Sequence, residues 1–216
     1  MKKLLFWMVL VVGTVVLLGS CAKKEETDDA AATSCATDTT ASGSITVGSE
    51  TMSGVYLSTC NASEFAAAAG TQIFPSDVKS GYMALVVTGD AAISEEFVTY
   101  TDTSCSTPSM TWKKGRSDFT VGSASGSNYA VTYKASTVKI KVSTDVAKSH
   151  LDAFATSTGS SWTFTVGSET TVTDSGDTKY NLVSVTSTTV QTGDSSDNAT
   201  PTSLDDGSLS MTKACQ

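Results

Sequence analysis

Histidine and basic residues are scarce in this 216-residue chain, and their scarcity argues against several classes of function. The only histidine is His150, so the chain has little capacity for acid–base chemistry near neutral pH. There are 14 lysines and arginines against 22 acidic residues, a formal charge of −8. An acidic protein gains nothing from the phosphates of nucleic acids. The sequence therefore predicts neither a histidine-based enzyme nor a nucleic-acid-binding protein.

Motifs for catalysis and metal binding are also missing. No Gly-x-Ser-x-Gly elbow accompanies the many serines, and we interpret His150 as a surface or half-buried residue of a short helix. Most paired acids, such as Asp174 with Asp177, lie in Gly/Ser-rich segments without EF-hand spacing, which favours turn hydrogen bonds over a glycosidase pair or a calcium loop. The cysteines are too far apart in sequence for a zinc site. We therefore predict no catalytic residue, metal or cofactor.

The one basic cluster follows Trp112 and consists of Lys113, Lys114 and Arg116. A basic-aromatic patch is one way to bind polyanions. In a chain with a net negative charge, we interpret this cluster instead as the decoration of a strand and its turn.

No apolar run is long enough to cross a membrane. The run from Leu4 to Leu18 follows two lysines and is shorter than the roughly 20 residues of a spanning helix. It ends in Leu18-Gly19-Ser20-Cys21, which matches the bacterial lipobox, where signal cleavage makes an acylated cysteine the new N-terminus. The sequence predicts a signal peptide at residues 1–20, lipidation of Cys21 and attachment to the membrane of the bacterial cell envelope. In a Gram-negative cell, Ala22 after that cysteine favours the outer membrane.

Residues 21–43 carry no large apolar side chain and predict a flexible stalk, because such a segment cannot offset its ordering entropy by burial. Export to an oxidising compartment suits disulfides. The remaining cysteines are even in number, and they are Cys35, Cys60, Cys105 and Cys215. They allow three pairings, and the position of Cys35 indicates that one point of the stalk is tied down.

Alternation of apolar and polar residues dominates residues 44–216, which we predict to form a single domain. Tyr129 to Tyr133 and Val138 to Val142 alternate with period two, and the polar Ala135-Ser136 link between them predicts a hairpin. Further strands are predicted at Gly54 to Thr59, Gly81 to Val87, Ile93 to Tyr100, Phe119 to Val121, Trp162 to Val166, Tyr180 to Val190 and Leu209 to Met211. Capping residues predict short helices over Asn61 to Gly70 and from Thr144 to Gly159. This pattern predicts an all-β barrel or, alternatively, a β-sandwich.

Several segments, taken in order, resemble a lipocalin-like group of secreted bacterial lipoproteins. They are Gly54-Val55-Tyr56 with Cys60, the Tyr-x-Asp-x-x-Cys-x-x-Pro stretch from Tyr100 to Pro108, the strand and helix from Val138 to Leu151, and Pro201 to Asp205. The resemblance implies an antiparallel up-and-down β-barrel, lipocalin-like in shape, with one or two short helices and room for a ligand cavity. It also implies a Cys60–Cys105 disulfide, which leaves Cys35 to pair with Cys215.

Two functions fit these observations. The first is a non-catalytic, monomeric module that binds an apolar or amphiphilic small molecule. Its predicted lining consists of aromatic residues on alternating strands, namely Tyr129, Tyr133, Trp162 and Phe164. The second is a structural or surface-interaction lipoprotein with a filled core. A barrel of about eight strands is wide enough for either arrangement, so the sequence does not decide between them.

Overall fold

Antiparallel β-structure dominates the chain from residue 45 onward. A computed structural model describes residues 37–71, 73–173, 176–193, 195–204 and 210–215. The strands are β1 (Ile45–Val47), β2 (Glu50–Met52), β3 (Val55–Leu57), β4 (Ser80–Gly89), β5 (Ala92–Tyr100), β6 (Pro108–Ser125), β7 (Asn128–Val142), β8 (Glu169–Thr173), β9 (Thr178–Val185), β10 (Thr189–Thr192) and β11 (Ser210–Cys215). The helices in this part of the chain are α1 (Ala62–Ala68) and α2 (Asp145–Ser157).

Eight of the strands close a ring of hydrogen bonds. Their order is β3-β4-β5-β6-β7-β9-β10-β11, and β11 pairs back with β3. Neighbours in the ring are antiparallel, and they follow one another along the chain except where β8 lies between β7 and β9 and where β11 meets β3. Strand β8 lies beside the C-terminal part of β7, and β1 with β2 forms a separate hairpin. The predicted all-β, up-and-down, barrel-like architecture is therefore confirmed, in place of the alternative sandwich.

The hairpin predicted at Ala135-Ser136 is wrong, because β7 runs without a turn from Asn128 to Val142. One extra residue of β7 is accommodated in a bulge, where Lys114 lies opposite Val138 and Arg116 lies opposite Ala135. A bulge shifts the alternation of side chains by one residue. The sequence alternation breaks at Ala135-Ser136 because of this bulge and not because of a turn.

Two other predicted strands also differ. Residues 160–168 contain no strand, because Trp162 and Phe164 pack against α2 and the place beside β7 is occupied by β8. Tyr180 to Val190 divides into β9 and β10, with Thr186 N–H donating to the carbonyl of Thr189 at the turn.

Both predicted helices are present and begin at capping side chains. Asn61 Oδ1 accepts from Glu64 N–H at 3.1 Å, and Thr144 Oγ1 accepts from Ala147 N–H at 3.0 Å. The face of α2 that packs inward contains Ala147, Leu151 and Ala155, whereas Val146 is 45% exposed. Asp77 accepts from the hydroxyls of Thr144 and Ser109 at 2.7 and 2.8 Å, which fixes the start of α2 to β6.

The inner face of the ring carries two apolar clusters at different levels. Directly opposed residues in antiparallel strands share a face, and the row Leu85, Glu95, Lys114, Val138 and Val172 crosses five strands in this way. One cluster is closed by the β1–β2 hairpin, whose Ile45, Val47 and Met52 pack on residues from the ring. The other lies between α2 and strands β6 to β8. One end of the ring is thus filled by side chains, and the other is covered by a helix.

The described end of the predicted stalk, residues 37–43, lies against the sheet. Ser42 N–H donates to the carbonyl of Val87 at 2.9 Å, and its hydroxyl donates to the carbonyl of Thr88 at 2.8 Å. The predicted signal peptide, Cys21 and Cys35 fall outside the described residues. The fragment 22–216 lacks only the predicted signal peptide and Cys21, and it contains every residue that the structure describes.

No helix in the described part of the chain is both long and apolar enough to cross a membrane.

The predicted Cys60–Cys105 disulfide is present and joins residues 45 positions apart. Asp102 shapes the turn that carries Cys105, because its carboxylate accepts hydrogen bonds from Ser104, Ser106 and the backbone N–H of Thr107. These hydrogen bonds hold the pKa of Asp102 well below its usual range, and the bond from the Ser104 hydroxyl has the largest effect. Cys215 is also disulfide-bonded. Its partner lies outside the described residues, so the Cys35–Cys215 pairing stays a prediction.

Candidate functional site

A cavity of about 400 Å³ lies between α2 and the inner face of β6, β7 and β8. Its described lining comprises Trp112, Lys114, Arg116, Val138, Ile140, Leu151, Phe154, Trp162, Phe164, Val172, Lys179 and Ser195. Most of these side chains are apolar, and none is acidic. The cavity therefore combines a hydrophobic wall with several cationic groups.

The apolar wall comes from elements that the β7–α2 connection brings together. Trp112 lies directly opposite Ile140 across β6 and β7. Leu151 on α2 and Phe164 after it are each 1% exposed, and the rings of Phe154 and Trp162 lie 6.4 Å apart. Trp112, Phe154 and Trp162 are only partly buried, so their rings supply most of the accessible aromatic surface of the cavity.

The cationic groups follow the aromatic wall along β6. Trp112, Lys114 and Arg116 share one face, and each two-residue step along a strand covers about 6.6 Å. Lys114 Nζ lies 5.5 Å from the centre of the Trp112 ring and 5.3 Å from that of Phe97, within the range of cation–π attraction. Lys179 on β9 also lines the cavity and pairs with Asp197. The cavity therefore passes from an apolar end under α2 to a cationic end nearer the middle of the ring.

Arg116 forms an ion pair inside the ring. Its Nε and Nη2 donate to Glu95 Oε2 at 3.2 and 2.9 Å, and its guanidinium carbon lies 5.0 Å from the centre of the Tyr133 ring. The two charged side chains are only 7% and 14% exposed. Burial, with Glu95 nearby, raises the pKa of Tyr133. Removing an ion pair from water is costly. A buried pair at this position is therefore an unusual polar feature in the middle of the ring.

The predicted ligand-lining residues do not meet in one place. Trp162 and Phe164 belong to the lining of the cavity. Tyr133 is buried in the filled cluster and Tyr129 packs against it, so neither lines the cavity. At the β1–β2 turn, a Cβ on Gly48 would lie 1.9 Å from the Tyr129 hydroxyl. Alternation places Tyr133 on the inner face of β7, but it does not give its level along the ring, and Trp162 and Phe164 belong to a segment that forms no strand.

The basic cluster lies on strand β6, and its members are divided between the two faces of the sheet. Lys114 and Arg116 face the cavity, whereas Lys113 faces the other side of the sheet, opposite Glu96 and Lys139. The sequence does contain a signal for this arrangement. In a strand, the spacing Trp112-x-Lys114-x-Arg116 places an aromatic ring and two cations on one face.

The one histidine that the sequence offers for acid–base catalysis lies on a helix. His150 is half-buried on α2, and its Nε2 has no hydrogen-bond partner in the described part of the chain. Trp112 Nε1 is likewise buried without a described partner. Among the described residues, no group of three or more His, Cys, Asp or Glu side chains is arranged to hold a metal ion.

A second, more polar cleft of about 680 Å³ lies on the outer face of β5 to β7. Glu169 forms ion pairs with Lys113 and Lys139, with a distance of 3.2 Å between carboxylate oxygen and Nζ in each. Asp38 lies 3.9 Å from both Lys113 and Lys141. The acids thus separate lysines that would otherwise repel one another, and Asp38 fastens residues 37–39 to the sheet.

Glu96 on this outer face is fully buried, and its Oε2 has no hydrogen-bond partner among the described residues. Burial raises the pKa of Glu96, while Thr39 and Lys113 act in the opposite direction. A carboxyl whose pKa is higher in the folded state holds its proton more tightly there. Its contribution to stability is therefore present below the ordinary value of 4.5 and is lost as the pH rises through the folded-state pKa.

We expect Glu96→Gln to stabilise the protein more at pH 8 than at pH 4, because glutamine mimics the protonated carboxyl at both values. Urea unfolding of the fragment 22–216 at the two pH values measures the difference. Glu64→Gln, which removes a charge from an exposed position on α1, serves as the control and should give a small change at both. A Glu96→Gln variant that is less stable than the parent at pH 8 would contradict this account.

Comparison of the chain with protein-family models and with curated proteins finds no match. The resemblance to a lipocalin-like lipoprotein group therefore stays a prediction from the sequence, and the cavity carries the functional argument.

Proposed function

We propose that this protein is a membrane-anchored, non-catalytic lipoprotein that binds an apolar or amphiphilic small molecule in the cavity under α2. The single observation that supports this most strongly is the unfilled, mostly apolar space in one end of an otherwise filled ring. The lipobox at Cys21 supports the membrane anchor.

The size and lining of the cavity fit this proposal. Ligand pockets are typically clefts of about 300–1,000 Å³ with predominantly hydrophobic and aromatic walls and a few polar groups. The cavity of about 400 Å³ has such walls, with its polar groups grouped on β6 and β9. Two tryptophans line it, Trp112 and Trp162, so a ligand in this space would change the fluorescence of the protein.

The proposal is tested with the neutral fluorophore N-phenyl-1-naphthylamine and the fragment 22–216. We expect saturable binding, energy transfer from tryptophan and a rise in the melting temperature, because a ligand that binds only the folded state stabilises it by mass action. Val172→Phe should weaken this binding, because Val172 lines the cavity and the larger ring occupies part of its volume.

Val166→Phe is the matched control, because it adds the same side chain at a position that is 40% exposed. It should bind the fluorophore like the parent. Parent protein that shows neither saturable binding nor a higher melting temperature would contradict the proposal. That result would favour the alternative of a structural or surface-interaction lipoprotein. If Val172→Phe does not fold, the tryptophan energy transfer in the parent still decides the question.

A further inference from the structure

We infer that Phe74 limits the length of the apolar chain that the cavity under α2 accepts, because its side chain separates this cavity from a second apolar space under α1. The ligand class is then a single-chain amphiphile of limited length. This rests on the proposed function, since it names the ligand of the same cavity.

The second space is an apolar groove of about 120 Å³ between α1 and the inner face of β4 and β5. Its described lining consists of Glu64, Phe65, Ala68, Phe74, Met83 and Phe97. Glu64 is the one charged residue among them, and it is exposed. Ligand pockets typically measure about 300–1,000 Å³. The groove is therefore too small for a ligand of its own, but it can take the end of a chain that begins in a neighbouring space.

The groove and the cavity adjoin on the inner face of the sheet. Phe97 lies directly opposite Met83 on β4 and Trp112 on β6, and opposed residues share a face. Phe97 lines the groove, and Trp112 lines the cavity. The walls of the two spaces are thus one strand apart, a separation of about 4.8 Å.

Phe74 contacts the walls of both spaces. The centre of its ring lies 5.7 Å from that of Phe65 and 6.3 Å from that of Phe97, on the side of the groove. It also packs against the apolar cluster that contains Leu151 and Phe164, and both of these residues line the cavity. Phe74 therefore stands where a chain in the cavity would pass into the groove.

Neighbouring contacts hold Phe74 in this position. Gly70 N–H donates to the carbonyl of Phe74 at 2.9 Å, which fixes its backbone close to the end of α1. Phe65 is seated tightly on β4, since a Cβ on Gly81 would lie 2.5 Å from its ring. The partition is thus one packed side chain, and a smaller residue in place of Phe74 would join the two spaces.

The experiment measures binding as a function of chain length. Hexanol, octanol, decanol, dodecanol and tetradecanol share a neutral head group. Each is titrated, below its solubility limit, against the fragment 22–216 with bound N-phenyl-1-naphthylamine. Every methylene that is buried should strengthen binding about fourfold. In the parent we expect the affinity to level off within this series, because further methylenes cannot pass Phe74 and stay in water.

Phe74→Ala should let the affinity continue to rise with chain length. Tetradecanol should then bind about tenfold more tightly than it binds the parent, whereas hexanol binding should change little. Adding Ala68→Phe to Phe74→Ala should reverse this gain, because Ala68 lines the groove and the larger ring fills it.

Ile73→Ala is the matched control, because it shortens the neighbouring apolar side chain, which is 44% exposed and belongs to neither described lining. It should follow the parent at every chain length. If Phe74→Ala does not fold, Phe74→Leu replaces it and should give a smaller shift in the same direction.

The outcomes distinguish the role of Phe74 from the proposed function. An affinity that rises without a break through tetradecanol in the parent would overturn the role of Phe74 and leave the binding function standing. So would a limit that is unchanged in a folded Phe74 variant, or a fluorophore that binds but is displaced by no alkanol. Failure of the fluorophore and of every alkanol to bind would overturn both.

Discussion

Replacing Cys60 and Cys105 together with serine is expected to lower the free energy of unfolding by about 4 kcal/mol. The disulfide closes a loop of 45 residues, and the chain-entropy model assigns that stabilisation to a loop of this length because the cross-link restricts the unfolded state. Urea unfolding of the fragment 22–216 measures the change. The loss is large compared with the total stability of about 5–15 kcal/mol typical of a domain, so a variant that no longer folds at all agrees with the prediction.

The control places two mild substitutions in the same loops. Thr59→Ser with Thr103→Ser changes exposed residues next to the disulfide and should alter stability by no more than about 0.5 kcal/mol. A double serine variant within about 1 kcal/mol of the parent would show that the turn built around Asp102 holds these loops without the disulfide.

Replacing Cys21 with alanine is expected to abolish acylation and signal cleavage, and with them attachment through a lipid. The lipobox requires a cysteine thiol for acylation, and no other apolar segment of the chain resembles a membrane span. Two or more acyl chains anchor a protein stably, at about 0.8 kcal/mol per buried methylene. In a bacterial host, the full-length Cys21→Ala variant should accumulate as uncleaved precursor and carry no acyl label.

Cys35→Ala is the matched control, because it makes the same change at the next cysteine of the chain. It should be cleaved, acylated and recovered in the detergent phase after Triton X-114 partitioning. Normal cleavage and acylation of the Cys21→Ala variant would exclude the lipoprotein prediction and, with it, the anchored form of the proposed function.

The turn at Cys105 explains why the segment around it has a recognisable sequence pattern. In the stretch from Tyr100 to Pro108, Asp102 accepts the hydrogen bonds of the turn, and Cys105 adopts a left-handed φ of 54°. A non-glycine residue in that region is uncommon, so the turn requires an acceptor such as Asp102 to hold it. The motif is therefore a set of local contacts, which explains why it is visible in the sequence.

The sequence alone determined local features of this kind, such as the bounds of strands and the starts of helices. The apolar run from Gly81 to Val87 predicted β4, and the segment from Ile93 to Tyr100 predicted β5, both at nearly their observed bounds. Asn61 and Thr144 predicted the starts of both helices, because a capping side chain acts within its own turn. The number and order of strands predicted a barrel or a sandwich, and the resemblance to the lipoprotein group implied the up-and-down ring.

Only the tertiary structure decided where inward-facing residues lie along the ring and which of them meet. Tyr133 and Trp162 both belong to alternating segments, yet the first is packed under the β1–β2 hairpin and the second lines the cavity. The bulge between Ala135 and Val138 and the path of the chain through α2 determine this difference, and both depend on pairing between distant segments. The inward position of Lys114 depends on the same register, because a shift of one residue would exchange it with Lys113. Alternation in sequence specifies a face of the sheet, whereas strand register and helix placement specify the site.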